Sequence, residues 1–183
     1  MRKTIIKILL VAAFGILTFF GLPASGNRFG IKEDPSGSHN FKVSDKVKDS
    51  LEKVTLVDSI VSYAQRYLGK PYHYGGSSER GFDCAGFVSF VYRKFGFTLP
   101  RSAPAQAHVG KKIAMDQIQP GDLMFFKGSS GGGVGHVSLV IKNDKDGIVM
   151  IHASTWRHKV LIDKYDNIDY YKKRFVMAKR LIL

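Results

Sequence analysis

Gly81-Phe82-Asp83-Cys84-Ala85-Gly86-Phe87-Val88-Ser89-Phe90-Val91-Tyr92 holds the one cysteine of the chain and the change of character that decides the fold. Before it runs a polar, glycine-rich loop, Gly75-Gly76-Ser77-Ser78-Glu79-Arg80. After it the residues are apolar nearly all round, the pattern of a central buried helix from about Cys84 to Lys94, with Gly96 as C-cap. A cysteine at such a junction meets outward-pointing N–H groups and the positive end of the helix dipole. That setting lowers a thiol pKa and favours the nucleophilic thiolate. The competing reading is an inert thiol, because free cysteine is among the most buried residue types.

Upstream, Val54, Val57, Ile60, Val61, Ala64 and Leu68 recur at helical spacing, and Gly69 and Pro71 stop that helix. The segment 27–50 is polar and reads as a linker. Residues 1–26 have the order of a secretory signal peptide: Arg2, Lys3 and Lys7, then an apolar run from Ile8 to Phe20, then Ala24-Ser25-Gly26. The apolar run is short for a span, which needs about 20 residues; a retained N-terminal anchor is the competing reading. Residues 51–183 then form one domain.

Downstream the period changes. Leu123-Met124-Phe125-Phe126, Val137-Ser138-Leu139-Val140-Ile141 and Ile148-Val149-Met150-Ile151-His152 read as strands, the last two joined by the turn Asn143 to Gly147. Val160-Leu161-Ile162 and Phe175-Val176-Met177-Ala178 read as further strands, with a short helix from Tyr165 to Lys173 between them. Helices first and strands later predict an α+β domain, N-terminal helices packed on an antiparallel sheet.

A cysteine nucleophile needs a base, and the base an orienting partner. His136 opens one strand and His152 closes the next, so the hairpin brings both to one edge of the sheet. If that edge faces the start of the Cys84 helix, the three meet. His39, His73, His108 and His158 read as solvated or packed residues. The loop from Gly128 to Gly135 is rich in glycine but is not followed by Gly-Lys-Ser/Thr, so it does not read as a phosphate loop. The lone cysteine and scattered histidines exclude an internal disulfide and a structural zinc site.

Pro71-Tyr72-x-x-Gly75-Gly76, Phe82-Asp83-Cys84-Ala85-Gly86-Phe87-Val88, Leu99-Pro100-Arg101-Ser102, Gln106, Pro120-Gly121-Asp122-Leu123, Gly135-His136-Val137 and Ile151-His152-Ala153, in that order and spacing, resemble the NlpC family of bacterial cell-wall cysteine endopeptidases. The resemblance covers roughly Val54 to Leu183 and implies a papain-like α+β fold. It implies Cys84 as nucleophile, His136 as general base and His152 as the orienting third residue. Tyr72 matches a tyrosine placed near the oxyanion, and Asp83 matches a residue that helps bind a substrate amine. Arg101 and Ser102 fall in a substrate-binding motif. The implied substrates are peptidoglycan stem peptides, cut between D-γ-glutamyl and a diamino acid or, in some relatives, at cross-links ending in D-alanine. No metal or cofactor is implied.

One residue departs from the pattern: the family commonly has serine after the cysteine, and here it is Ala85. That puts recognition of a free N-terminal L-alanine in doubt. The formal charge of +13 draws anionic partners, and for an exported chain the carboxylate-bearing wall peptides are the expected target, in a periplasm or outside the cell. Lys172-Lys173-Arg174 is too short for a nucleic-acid patch. Two further readings stay open on the sequence: an amidase or acyltransferase on the same fold, and a non-catalytic wall-binding protein.

Overall fold

A computed structural model describes residues 44–128 and 132–183. The expected export segment, most of the expected linker and the middle of the Gly128–Gly135 loop lie outside the described residues. Helix α1 (Asp45–Gln65) starts within the stretch read as linker. Ser44 caps it by accepting from the Val47 N–H, and a Lys53–Asp49 pair supports its first turns. Its polar start hid it from an apolar-periodicity reading. Two short strands, β1 (Ser77–Ser78) and β2 (Gly81–Phe82), form a small hairpin before helix α2 (Cys84–Arg93). A short helix α3 (Ala103–Gln106) follows.

The remaining strands are β3 (Lys111–Ile113), β4 (Leu123–Lys127), β5 (Val134–Asp144), β6 (Gly147–Ser154), β7 (Lys159–Lys164) and β8 (Phe175–Arg180). They pair antiparallel in the order β3-β8-β4-β5-β6-β7. Helix α4 (Asp169–Arg174) lies between β7 and β8. The expected α+β architecture is present, with the helices first and the antiparallel sheet after them. Strand β3 was not among the expected strands; it lies at the edge of the sheet, and the positive charge of Lys111-Lys112 is a common protection of such an edge.

Strand alternation divides the core in two. Leu123, Phe125, Val137, Leu139, Ile151, Ala153 and Val160 face the helices and pack with Phe87, Val88, Val91 and Tyr92 of α2 and Ile60 and Ala64 of α1. Met124, Phe126, Val140 and Met150 face the other way, against Tyr165, Tyr171 and Ala178. Pro120-Gly121-Asp122 ties the sheet to the helices: the Tyr92 hydroxyl donates to the Gly121 carbonyl, and buried Asp122 accepts from Arg180 Nε and Nη2 at 2.8 Å each.

Candidate active site

Asp83 makes the start of α2. One of its oxygens, Oδ1, accepts from the Gly86 N–H at 2.7 Å as the N-cap, and Oδ2 accepts from the Gly75 N–H at 3.0 Å. Arg101 grips the same carboxylate with two bonds, Nη1 to Oδ1 at 2.9 Å and Nη2 to Oδ2 at 2.6 Å, and also donates to the Gly76 carbonyl at 3.2 Å. The loop before the cysteine, the helix start and the Leu99–Ser102 loop are thus fixed to one carboxylate. Gln106 fastens the same loop from beneath, its Nε2 donating to the Ala85 and Pro100 carbonyls. Ser102 is exposed, and its hydroxyl makes no hydrogen bond among the described residues.

Cys84 is partly buried at the first position of α2. The backbone N–H groups of Val137 on β5, of Ala85 and of Cys84 itself favour its thiolate. Burial pushes the thiol up from its ordinary value, and the nearby Asp83 charge adds to this; the N–H groups oppose it without prevailing. The expectation of a lowered thiol pKa is therefore corrected. The helix start supplies donors, but desolvation of the thiolate outweighs them. Tyr72 is held next to the thiol by its backbone N–H, which donates to the His158 carbonyl at 2.9 Å. Burial raises the Tyr72 hydroxyl first, and Cys84 raises it next, so the phenol stays protonated and able to donate.

The β5/β6 ladder begins at Leu139–Ile151 and is not continued to Val137. At this open end Val137 packs with α2, while the rings of His136 and His152 lie beside Phe126 and Tyr171. His136 Nε2 and His152 Nδ1 are 3.1 Å apart. The other His136 nitrogen, Nδ1, has no hydrogen-bond partner among the described residues, and Cys84 and His136 share no bond in this structure. Burial holds His136 well below the ordinary histidine range, and the neighbouring His152 adds to this. His136 is therefore a neutral ring at neutral pH.

The His152 ring is 1% exposed. Its Nε2 lies 3.1 Å from Asp163 Oδ2 on β7 and 3.1 Å from the Tyr171 hydroxyl on α4, which in turn donates to Asp163 Oδ2 at 3.1 Å. Neither Asp163 nor Tyr171 was singled out from the sequence. The signal was there in strand alternation: His152 pairs with Leu161, so Asp163 stands diagonally across on the same face.

The NlpC/P60 family model matches residues 69–180. A probable endopeptidase NlpC of Escherichia coli strain K12 is 38% identical over 131 residues, 71% of this chain and 81% of that protein. A gamma-D-glutamyl-L-lysine dipeptidyl-peptidase of Bacillus subtilis strain 168 is 36% identical over 138 residues, 75% of this chain and 45% of that one. The murein DD-endopeptidase/LD-carboxypeptidase MepS of Escherichia coli strain K12 is 34% identical over 139 residues, 75% and 70% of the two chains. Among solved structures, the NlpC/p60 domain of the peptidoglycan hydrolase SagA superposes with a TM-score of 0.56 at 31% identity, covering 67% of this chain and 97% of that one. The match runs through the glycine-rich loop, the Cys84 helix and both histidine strands, and the chain belongs to the NlpC/P60 family as a cysteine endopeptidase.

Proposed function

We propose that this chain hydrolyses an amide bond in the stem peptides of peptidoglycan, with Cys84 as nucleophile, His136 as general base and His152 as its orienting partner. One observation carries this reading: at the open end of the β5/β6 ladder His136 and His152 bond at 3.1 Å, and Val137, the residue after His136, packs with the α2 cluster that includes Cys84. His136 Nδ1 takes the thiol proton as sulfur attacks the carbonyl carbon. The tetrahedral intermediate collapses, the amine leaves with the proton from His136, and a thioester remains. Water then attacks, giving a proton to His136. The carboxylic acid departs and the proton returns to sulfur. Tyr72 donates to the oxyanion. Arg101, whose side chain is 46% exposed beside Asp83, offers positive charge to a substrate carboxylate, and the exposed Ser102 follows it in the same loop.

The bond assigned is D-γ-glutamyl to diamino acid, the kind in the name of the Bacillus subtilis relative. A second reading, cleavage of D-alanyl–diaminopimelate cross-links, has a specific observation in its favour. Asp83 already accepts from Gly75, Gly86 and both Arg101 nitrogens, and Ala85 has no hydroxyl, so a free substrate amine finds few acceptors here. We assign residues 1–26 to export, to the periplasm or the cell exterior. Purified muropeptides, mass spectrometry and the Cys84→Ala variant test these assignments. A cut after γ-glutamate by the parent chain alone supports the first bond, and monomers released from dimers select the second. Equal activity with and without the thiol overturns the catalytic assignment.

A further inference from the structure

We infer that Asp163, held by Tyr171, is a positioning residue that fixes the direction of the hydrogen-bond chain from Asp163 through His152 to His136 and so leaves His136 Nδ1 as the proton acceptor. This rests on the catalytic reading above and extends it by one strand.

A carboxylate only accepts hydrogen bonds. Two groups lie 3.1 Å from Asp163 Oδ2, the Tyr171 hydroxyl and His152 Nε2, and both therefore donate to it. His152 then carries its proton on Nε2, and its Nδ1 has a lone pair. That lone pair accepts from His136 Nε2–H at 3.1 Å, which leaves Nδ1 of His136 unprotonated.

The reverse chain is also possible on distances alone. In it Tyr171 donates to His152 Nε2, also 3.1 Å away, and His152 Nδ1–H donates to His136. The proton of His136 is then on Nδ1, and the ring cannot take one from the thiol there. The charge on Asp163 decides between the two chains, because bonds to an ionised acceptor are roughly twice as strong as neutral ones. The His152 hydrogen bond, ahead of other causes, keeps Asp163 below its ordinary carboxylate range, so it is ionised at neutral pH.

The surroundings hold this chain in place. Asp163 is only 14% exposed and Tyr171 8%. Tyr171 stands 5.3 Å from the Phe126 ring, centroid to centroid, and stacks at 6.4 Å on His136. The charged and titratable groups that face His152 are His136 from β5, Asp163 from β7 and Tyr171 from α4. Arg157, from the turn between β6 and β7, acts on Asp163 and Tyr171.

The test uses the full chain with Asp163→Asn, Asp163→Ala and Tyr171→Phe, on the substrate that the parent cleaves. Both Asp163 variants are expected to lose about 10²-fold or more in kcat with KM within about 3-fold, by analogy with a catalytic histidine that loses its carboxylate. The acid limb of the pH–rate profile should move to lower pH, because the Asp163 charge raises His136. Tyr171→Phe should lose less, since the carboxylate keeps its bond to His152. Imidazole nitrogen NMR of the parent should show His152 protonated on Nε2, and that signature should weaken in Asp163→Asn. An unmoved acid limb with unchanged kcat, or His152 protonated on Nδ1 in the parent, overturns the inference. Activity that survives Cys84→Ala overturns the catalytic reading instead, and the NMR measurement then still decides the direction of the chain.

Discussion

A β-carbon on Gly86 would stand 2.0 Å from the carbonyl oxygen of Gly76. The first turn of α2 and the loop before the cysteine are therefore in backbone contact, with no room for a side chain. Gly76 is confined in turn, since its own β-carbon would lie 2.5 Å from the Gly81 carbonyl. The glycines around Cys84 allow the loop to fold back on the helix start, where Asp83 and Arg101 lock it.

Gly86→Ala should accordingly displace backbone, not a flexible side-chain tip. Overpacking of this kind costs about 1–3 kcal/mol. The expected result is a lower urea midpoint with an unchanged m-value, together with a fall in turnover larger than the fall in stability explains. An alanine variant with parental turnover would show that the contact does not position Cys84.

Asp122→Ala should destabilise far more while leaving the site chemistry alone. Asp122 is fully buried, and Arg180 makes two bonds to it. Removing one partner of a buried pair costs about 3–5 kcal/mol, because the other charge is left uncompensated. Urea unfolding at neutral pH measures this directly. A loss under about 1 kcal/mol would place the pair in the class of surface salt bridges.

The pH dependence follows from two opposite shifts. Burial lowers His136, so the ring stays neutral and able to accept a proton below the ordinary histidine value of 6.5. Burial raises Cys84 above its ordinary 9.0, so little thiolate exists at pH 7. The acid limb of kcat/KM should therefore fall below pH 6.5, and iodoacetamide should alkylate Cys84 at a rate still rising above pH 9. A rate of alkylation already level at pH 7 would indicate a thiolate–imidazolium pair and contradict both directions.

The residues that announce themselves in the sequence are those whose partners are close along the chain. Asp83 caps a helix three residues from Gly86, and the Asn143–Gly147 turn brings His136 and His152 together through one hairpin. The face of the sheet they occupy was not legible. It depends on how Val137 packs with α2 and on the ladder stopping at Leu139. Asp163 and Tyr171 escaped notice because a charged strand end and a basic helix resemble solvated surface until the register of β6 and β7 is known. The raised thiol was illegible for a related reason: the helix start is local, but the burial that outweighs it comes from distant strands.

Tyr72→Phe tests the oxyanion role separately from the base. The Tyr72 backbone N–H is anchored to the His158 carbonyl, and the raised pKa of the phenol keeps its proton in place as a donor. Loss of one oxyanion donor costs about 10²–10³ in kcat. The variant should keep the parental KM and acid limb, because neither His136 nor Asp163 is touched. A loss confined to KM would place Tyr72 in substrate binding alone.

Ala85→Ser asks what the departure from the family pattern does. Position 85 is buried at the start of α2, next to the thiol. A hydroxyl there adds one acceptor where Asp83 has few to offer. A hydrogen bond of this kind is worth about 0.5–1.5 kcal/mol net, so kcat/KM should rise roughly 2- to 10-fold on stem peptides with a free N-terminal L-alanine. The same variant should leave cleavage of cross-linked dimers unchanged, since those peptides present no such amine to the site. Competition between the two substrates in one mixture, followed by mass spectrometry, measures the ratio without reference to enzyme concentration. An equal gain on both would mean that Ala85 tunes the thiol itself and not the choice of substrate.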